Sequence, residues 1–344
     1  GDIFSRIGNT GNGNGGDLRI VANTLDMVNG ARMETSTTGR GNAGDVTLQV
    51  RDRISLSGST PDGRFSTAIF TNVGQSGTGD GGNLTVFANR LELFDNANLN
   101  ASTSGNGNAG NVTARITGSI VMNNGSIRSD VGQGATGDGG NLDVAANRLE
   151  MVNGARLSAR TEGTGNAGNV TARITDSIAM DNSFIRSDVE QGAIGNGGDL
   201  FVSANELEMA NGAQLIAGTD GEGNAGDVTV SVRDRISLVG STSDSEFTSA
   251  IFSSVFGSGI GDGGNLFITA DSLSLTDGSQ LLTNTRGQGN AGNIVLGQAN
   301  QPIRSISISG TSGNGFASGF LASTNVGQGG NIRVYADQLR MSDG

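Results

Sequence analysis

Gly79-Asp80-Gly81-Gly82-Asn83-Leu84 returns, slightly varied, from one end of the chain to the other. Copies begin at Gly13, Gly41, Gly79, Gly107, Gly137, Gly165, Gly195, Gly223, Gly261, Gly289 and Gly327. They follow the pattern Gly-[Asn/Asp]-[Gly/Ala]-Gly-[Asn/Asp]-[Leu/Val/Ile], with Gln328 the single departure at the second position. Successive copies lie 28, 38, 28, 30, 28, 30, 28, 38, 28 and 38 residues apart, so a fixed block alternates with a variable one. A fixed period with insertions at one place is the mark of a solenoid, whose repeats bury their apolar faces against each other.

Each block reads as three short strands separated by turns. The first alternates strictly, as in Leu84-Thr85-Val86-Phe87-Ala88, and its inward set returns as Val112/Ala114/Ile116 and Leu142/Val144/Ala146. Such period-2 alternation marks a strand with one buried face. The second strand supplies a pair two residues apart in every block, from Leu25/Met27 and Leu91/Leu93 through to Leu339/Met341. A turn rich in Asn, Asp and Gly follows, such as Asn29-Gly30 or Asn153-Gly154, where positive φ is easily reached. The third strand is A-x-L-like, as in Ala97/Leu99 and Ala155/Leu157, with Ile127 and Ile185 in the variable blocks. The extra eight residues of the 38-residue blocks lie between strands two and three, as in Gly58–Phe65. Three strands per block, each stacked on its counterpart, predict an all-β, right-handed parallel β-helix of about 11–12 coils. At about 4.8 Å per step the rod would be roughly 55 Å long. Residues 1–344 form one repeat domain.

Composition agrees. Gly makes up 59 of the 344 residues and Pro only 2, and the hydrophobic share of 34% suits a thin line of inward side chains. Zero Cys excludes a disulfide framework and thiolate metal sites. The net charge of −12 argues against nucleic acid and anionic membrane surfaces, which select basic stripes. No apolar run approaches membrane-spanning length, so no membrane insertion is expected.

The Asn/Asp positions of the anchor are expected to stack coil on coil. Stacked amides bond along a ladder. Asp17/Asp45 and Asp199/Asp227 place like charges on neighbouring coils, which makes them candidate ligands for calcium, a cation suited to hard oxygen donors. The calcium-binding nonapeptide repeat, however, runs in tandem, whereas one anchor occurs per block here, so a structural ladder is preferred. The anchor is also glycine-rich after a strand, but no helix follows and the chain has no Lys, which excludes a phosphate loop. Asn83-Leu84-Thr85 and Asn111-Val112-Thr113 match the glycosylation acceptor pattern as by-products of the anchor.

Catalysis finds few materials, with no His base and no Cys nucleophile. Glu92, Glu150 and Glu208 are placed by the repeat and form no singular cluster, so an enzyme is not expected. Phe87, Phe201 and Phe267 project outward from first strands and Tyr335 from a similar face, as scattered aromatics rather than a strip. The outward rank after the anchor is broken by Arg19, Asp143, Phe201 and Val295, against the unbroken Thr rank that ice binding requires.

The alternating Gly-Asn-Ala-Gly-[Asn/Asp] and Gly-[Asp/Asn]-Gly-Gly-[Asn/Asp] anchors, with Asn89-Arg90-Leu91-Glu92-Leu93 and Asn147-Arg148-Leu149-Glu150-Met151 as second strands, carry a family resemblance. Along essentially its whole length the chain resembles the repeat region of filamentous-haemagglutinin-like exoproteins of the two-partner secretion type, especially those common in cyanobacteria. The resemblance implies a right-handed parallel β-helix, secretion through an outer-membrane partner, and display at the cell surface in adhesion, aggregation or contact-dependent competition. The expected function is therefore that of a surface-exposed extracellular fibre or stalk, an adhesin or cell-aggregation filament, whose partner is a glycan or protein receptor. The alternative is a carbohydrate-binding or polysaccharide-degrading β-helix. Gly1-Asp2-Ile3-Phe4 begins at a third strand and Met341-Ser342-Asp343-Gly344 stops at the turn before one. A segment of a longer rod is expected from this, with axial head-to-tail association into filaments as the sharper alternative.

Overall fold

The anchor turns the chain through a corner so tight that one coil's backbone rests directly on the backbone of the coil before it. The first glycine of each anchor holds a left-handed angle, φ +140° at Gly79 and +144° at Gly107, which residues with a Cβ seldom adopt. A Cβ at Gly79 would fall inside the Gly41 carbonyl, and one at the fourth glycine, Gly110, inside the Gly82 carbonyl. The third position alternates between Gly and Ala for a related reason. A Cβ at Gly139 would lie 2.7 Å from the Gly168 backbone nitrogen of the next coil, whereas Ala167 fits its place and is buried. The true structural repeat is therefore a pair of coils.

The computed structural model describes residues 1–242 and 247–343, and every element among them is a strand. Gly344, the last residue of the terminal match, lies outside the described residues. The strands form a parallel β-helix of two sheets in which every strand pairs in parallel with its counterpart one coil away. The long ladder has 14 strands and the short ladder 11. Eleven stacked strands separated by about 4.8 Å make a rod about 48 Å long. Leu84, Val112 and Leu142 pair in register and are at most 1% exposed. They belong to one continuous apolar core that runs from Met27 and Met33 to Ile306 and Ile308. The expected internal column is present.

Two details differ from expectation. The first and second strands are not separated by a turn in most coils. They run on as single strands such as Leu84–Phe94 and Val112–Asn123, bent where the register shifts between Ala88 and Arg90. Alternate strands are 11 and 12 residues long, so a one-residue bulge turns the corner without breaking the hydrogen bonding. Only toward the far end do they separate, as in Leu266–Thr269 and Ser272–Thr276. Nor are all insertions at one corner. The loops of the second and eighth coils do lie between strands two and three, where Ser59 bridges Ser66 and Ser241 bridges Thr248. The two residues that separate a 30-residue block from a 28-residue one instead lengthen the return segment, from Thr161–Thr164 to Val131–Thr136 between the same bridge columns. One coil also places a hairpin at the bend, with Gln298 bridging Gln301 beside Pro302.

A third, thinner seam closes each coil. Thr37, Val73, Thr103, Val131, Thr161, Val189, Thr219 and Val255 bridge in succession, Thr and Val alternating. All are buried, and the hydroxyls of Thr37, Thr103, Thr161 and Thr219 have no hydrogen-bond partner among the described residues.

Candidate functional site

The Asn/Asp positions form two ladders along the anchor corner, in which the expected amide-to-amide bonds, such as Asn111 to Asn83 at 3.1 Å and Asn293 to Asn265 at 2.9 Å, are joined by a second and more regular bond. Each side-chain oxygen accepts the backbone N–H of its counterpart one coil on. At the second position the Asn42 N–H donates to Asn14 Oδ1 at 3.0 Å, Asp80 to Asn42 at 2.9 Å and Asn108 to Asp80 at 2.9 Å. The series runs to Gln328, which enters through its backbone N–H, bonded to Asn290 Oδ1 at 2.9 Å. At the fifth position the Asp45 N–H donates to Asp17 Oδ1 and the Asp227 N–H to Asp199 Oδ1, both at 2.9 Å. The Asn83 amide also reaches Asp45 Oδ1, at 3.3 Å, and the Asn265 amide Asp227 Oδ1, at 3.0 Å. The four candidate calcium ligands thus spend one oxygen each within the ladder. Among the described residues no group of three or more acidic side chains is arranged to hold a metal ion. Asn83 and Asn111, the sequon asparagines, both bond through their side-chain amides.

The other sequence candidates stay apart. Glu92 is buried against Arg90 at 2.6 Å and Arg53 at 3.7 Å. Glu150 and Glu208 share its column, but Val121 and Ala179 on the intervening coils separate the three. Phe201 and Phe267 share another column with Thr229 between them, and Phe87 stands two residues further along its strand. Phe87 instead overlooks a shallow groove that follows the bend of the long ladder, lined by Arg51, Asn89, Arg115, Asn147 and Arg173. Within it the Thr117 hydroxyl donates to Asn89 at 3.0 Å and the Thr175 hydroxyl to Asn147 at 2.9 Å. Both Arg115 and Arg173 pair with Asp143.

The outer face of the short ladder is where the chemistry concentrates. Ile127, Leu157 and Ile185 point inward from strands of only three residues, so Arg128, Ser158 and Arg186 face out in one column. Asp130 and Asp188 follow two residues on and are 2% and 6% exposed, sunk in a trough. Asp130 accepts from Arg128 Nε at 2.8 Å, from the Ser158 hydroxyl at 2.6 Å and from the Arg160 N–H at 3.0 Å. Arg160 pairs with Glu162 and Glu190, and Arg186 with Asp188 and Glu190. Burial opposes the charge on Arg186, but Asp188, Glu190 and Asp130 outweigh it and hold the guanidinium above the ordinary arginine range. Arg156 has no carboxylate partner among the described residues and lies 5.9 Å from the Phe184 ring. Partial burial, then the charges of Arg186, Arg128 and Arg160, push it below that range. The repeat itself places this network, since Arg128 and Asp130 return two coils on as Arg186 and Asp188.

Further along the same face lies a cleft of about 190 Å³, walled by Phe247, Phe252, Phe256 and Phe316. Phe252 and Phe256 meet edge to face, centroids 5.7 Å apart. Phe247 and Phe316 come from insertion loops of one design. In each, the third residue after the strand donates its N–H to the Phe carbonyl at 2.8 Å and accepts the Phe N–H through its hydroxyl at 3.1 Å, Thr242 with Phe247 and Ser312 with Phe316. The second coil has the same loop from Thr60 to Phe65, but there Arg32 fills the space, 5.4 Å from the Phe65 ring and 4.8 Å from that of Phe70. Gln214, paired with Ala250 as Arg32 is with Ala68, holds that register beneath Phe247.

Strands of three residues are too short to show alternation, which is why this face escapes a periodicity search. Its signal was present nonetheless. Ser126-Ile127-Arg128-Ser129-Asp130-Val131 returns as Phe184-Ile185-Arg186-Ser187-Asp188-Val189, and Ala68-Ile69-Phe70 as Ala250-Ile251-Phe252. No helix among the described residues is long and apolar enough to cross a membrane. No protein-family model, no curated protein and no solved structure matches the chain.

Proposed function

We propose that this chain is a structural rod displayed outside the cell, a fibre or stalk whose side makes adhesive contact. The observation that best supports it is the pair of anchor ladders, which tie every coil to the next along the whole corner of the rod. A scaffold so regular, with charged and aromatic side chains gathered on one face, suits a support that presents a contact surface. The test is to coat beads with the purified chain and score their attachment to cells and to one another, with rod length measured by electron microscopy. Attachment with discrete rods is expected. Failure to attach to any cell or to other beads would remove adhesion, and turnover of a polysaccharide would replace the structural reading with an enzymatic one.

A second reading, a carbohydrate-binding or polysaccharide-degrading β-helix, is favoured by the aromatic cleft. A glycan array and a depolymerisation assay separate binding from catalysis. Binding without turnover is compatible with the rod.

A further inference from the structure

We infer that the cleft between Phe252, Phe256 and Phe316 is a saccharide subsite that selects a pyranose bearing a carboxylate, a uronic acid residue. The inference rests on the adhesive reading and names the chemistry of its receptor. Aromatic walls enclosing a few converging polar groups describe a small-molecule site. Here those groups are left half used by the protein. Gln214 and Gln280 spend their amide nitrogens on loop carbonyls, at 3.2 Å to Thr248 and 3.1 Å to Ala317. Their carbonyl oxygens have no partner among the described residues. Asn284, 9% exposed, uses its oxygen to accept from the Ser254 hydroxyl at 3.0 Å, which leaves its amide N–H groups as donors. The edge of the cleft therefore offers both acceptors and donors, the complement of sugar hydroxyls that do both.

Arg286 supplies the charge preference. It lines the cleft and has no carboxylate partner among the described residues, in a chain whose net charge is −12. Its column explains why. Thr219, Val255 and Thr285 bridge in succession, so Asp220, Phe256 and Arg286 follow one another on three successive coils, and a whole coil separates the carboxylate from the guanidinium. An unpaired guanidinium beside an aromatic face is matched by a carboxylate, which it binds through two parallel N–H groups. The second coil shows the alternative, since Arg32 there occupies the Phe pair itself and bonds Glu34 at 3.2 Å.

The test is isothermal titration calorimetry of the full chain with trigalacturonic acid, maltotriose and inorganic sulfate. Trigalacturonic acid is expected to bind at least tenfold more tightly than maltotriose, with sulfate unable to displace it. Arg286→Gln should lower the affinity for trigalacturonic acid about tenfold and leave maltotriose unchanged. Phe256→Ala and Phe316→Ala should weaken both, and Phe87→Ala, in the remote groove, neither. Melting curves report folding; Phe316 sits on an exposed loop, so its variant keeps the test decisive if Phe256→Ala fails to fold. No heat with either sugar, equal affinities, an unaffected Arg286→Gln or displacement by sulfate would each overturn the inference. Bead attachment that persists without trigalacturonic acid binding would overturn this inference alone, whereas lost attachment with the binding intact would overturn the adhesive reading.

Discussion

Asparagine and aspartate interchange in the anchors because the ladder asks each side chain for one acceptor oxygen. Asn141 accepts the Asn169 N–H at 2.9 Å, and an aspartate would accept it equally well. Asn141→Asp should therefore leave the urea midpoint nearly unchanged, whereas Asn141→Ala strands that N–H and should cost about 1 kcal/mol. Equal losses for the two would mean that amide pairing, not the acceptor, holds the corner. For the same reason the ladder reading expects chelation with EDTA to leave the melting temperature where it was. A fall on chelation would revive Asp17, Asp45, Asp199 and Asp227 as cation ligands. Gly110 admits no such latitude. With the Gly82 carbonyl occupying the space of its missing Cβ, Gly110→Ala should destabilise by roughly 3 kcal/mol or more or prevent folding, as other backbone clashes do. Thr161→Val runs the other way. Its hydroxyl is buried between Val131 and Val189 without a partner among the described residues, and removing it at equal shape should stabilise by about 1 kcal/mol, read from the same urea curves.

The insertion loops test whether coils are modular at the level of elements. In the second coil, residues 58–67 join the strands Val46–Ser57 and Ala68–Phe70, whereas Asn124 and Gly125 alone join Val112–Asn123 to Ser126–Arg128 in the fourth. Replacing 58–67 by Asn-Gly should give a folded chain with a melting temperature within a few degrees of the parent. Aggregation or loss of the far-UV spectrum would show that the loop clasps the coil beneath it. The bond that such a clasp would depend on is that of the Gly30 N–H, which donates to Thr67 Oγ1 at 2.9 Å. The strand order and the inward columns were legible in the sequence because each depends on a pattern longer than the strand itself, the period of the anchor. The joining of first and second strands was not, because Ala88-Asn89-Arg90 reads as a turn yet keeps both of its hydrogen-bonded neighbours through a register shift. The cleft was harder still. Phe252 and Phe316 are distant in sequence and meet only because coils stack, and the partners of the Asp130 carboxylate are set by what its own coil and the next one happen to carry.

At the scale of the whole rod, each coil borrows stability from its neighbours, since a single turn exposes both faces of a core one side chain thick. Val144 lies in the middle of that arrangement, fully buried, with Ala114 on one side and Ala172 on the other in the same column. Val144→Asp would place an unpaired charge there, among the costliest of substitutions, at about 4 kcal/mol or more. In a compact domain that loss would be spread over the whole molecule. In a solenoid it should stay local and symmetric, because coupling passes only between adjacent coils. Hydrogen exchange followed by mass spectrometry should then show protection lost in Val112–Asn123, Leu142–Val152 and Val170–Asp181. Protection should persist in Val46–Ser57 and Val228–Val239, several coils away on either side. Uniform loss along the chain would mean that the rod unfolds as one unit, with interfaces between coils so much stronger than the coils themselves that no defect can be contained. Such a rod would fail all at once under load, whereas one that contains the defect could lose a coil and still hold its contact surface on either side.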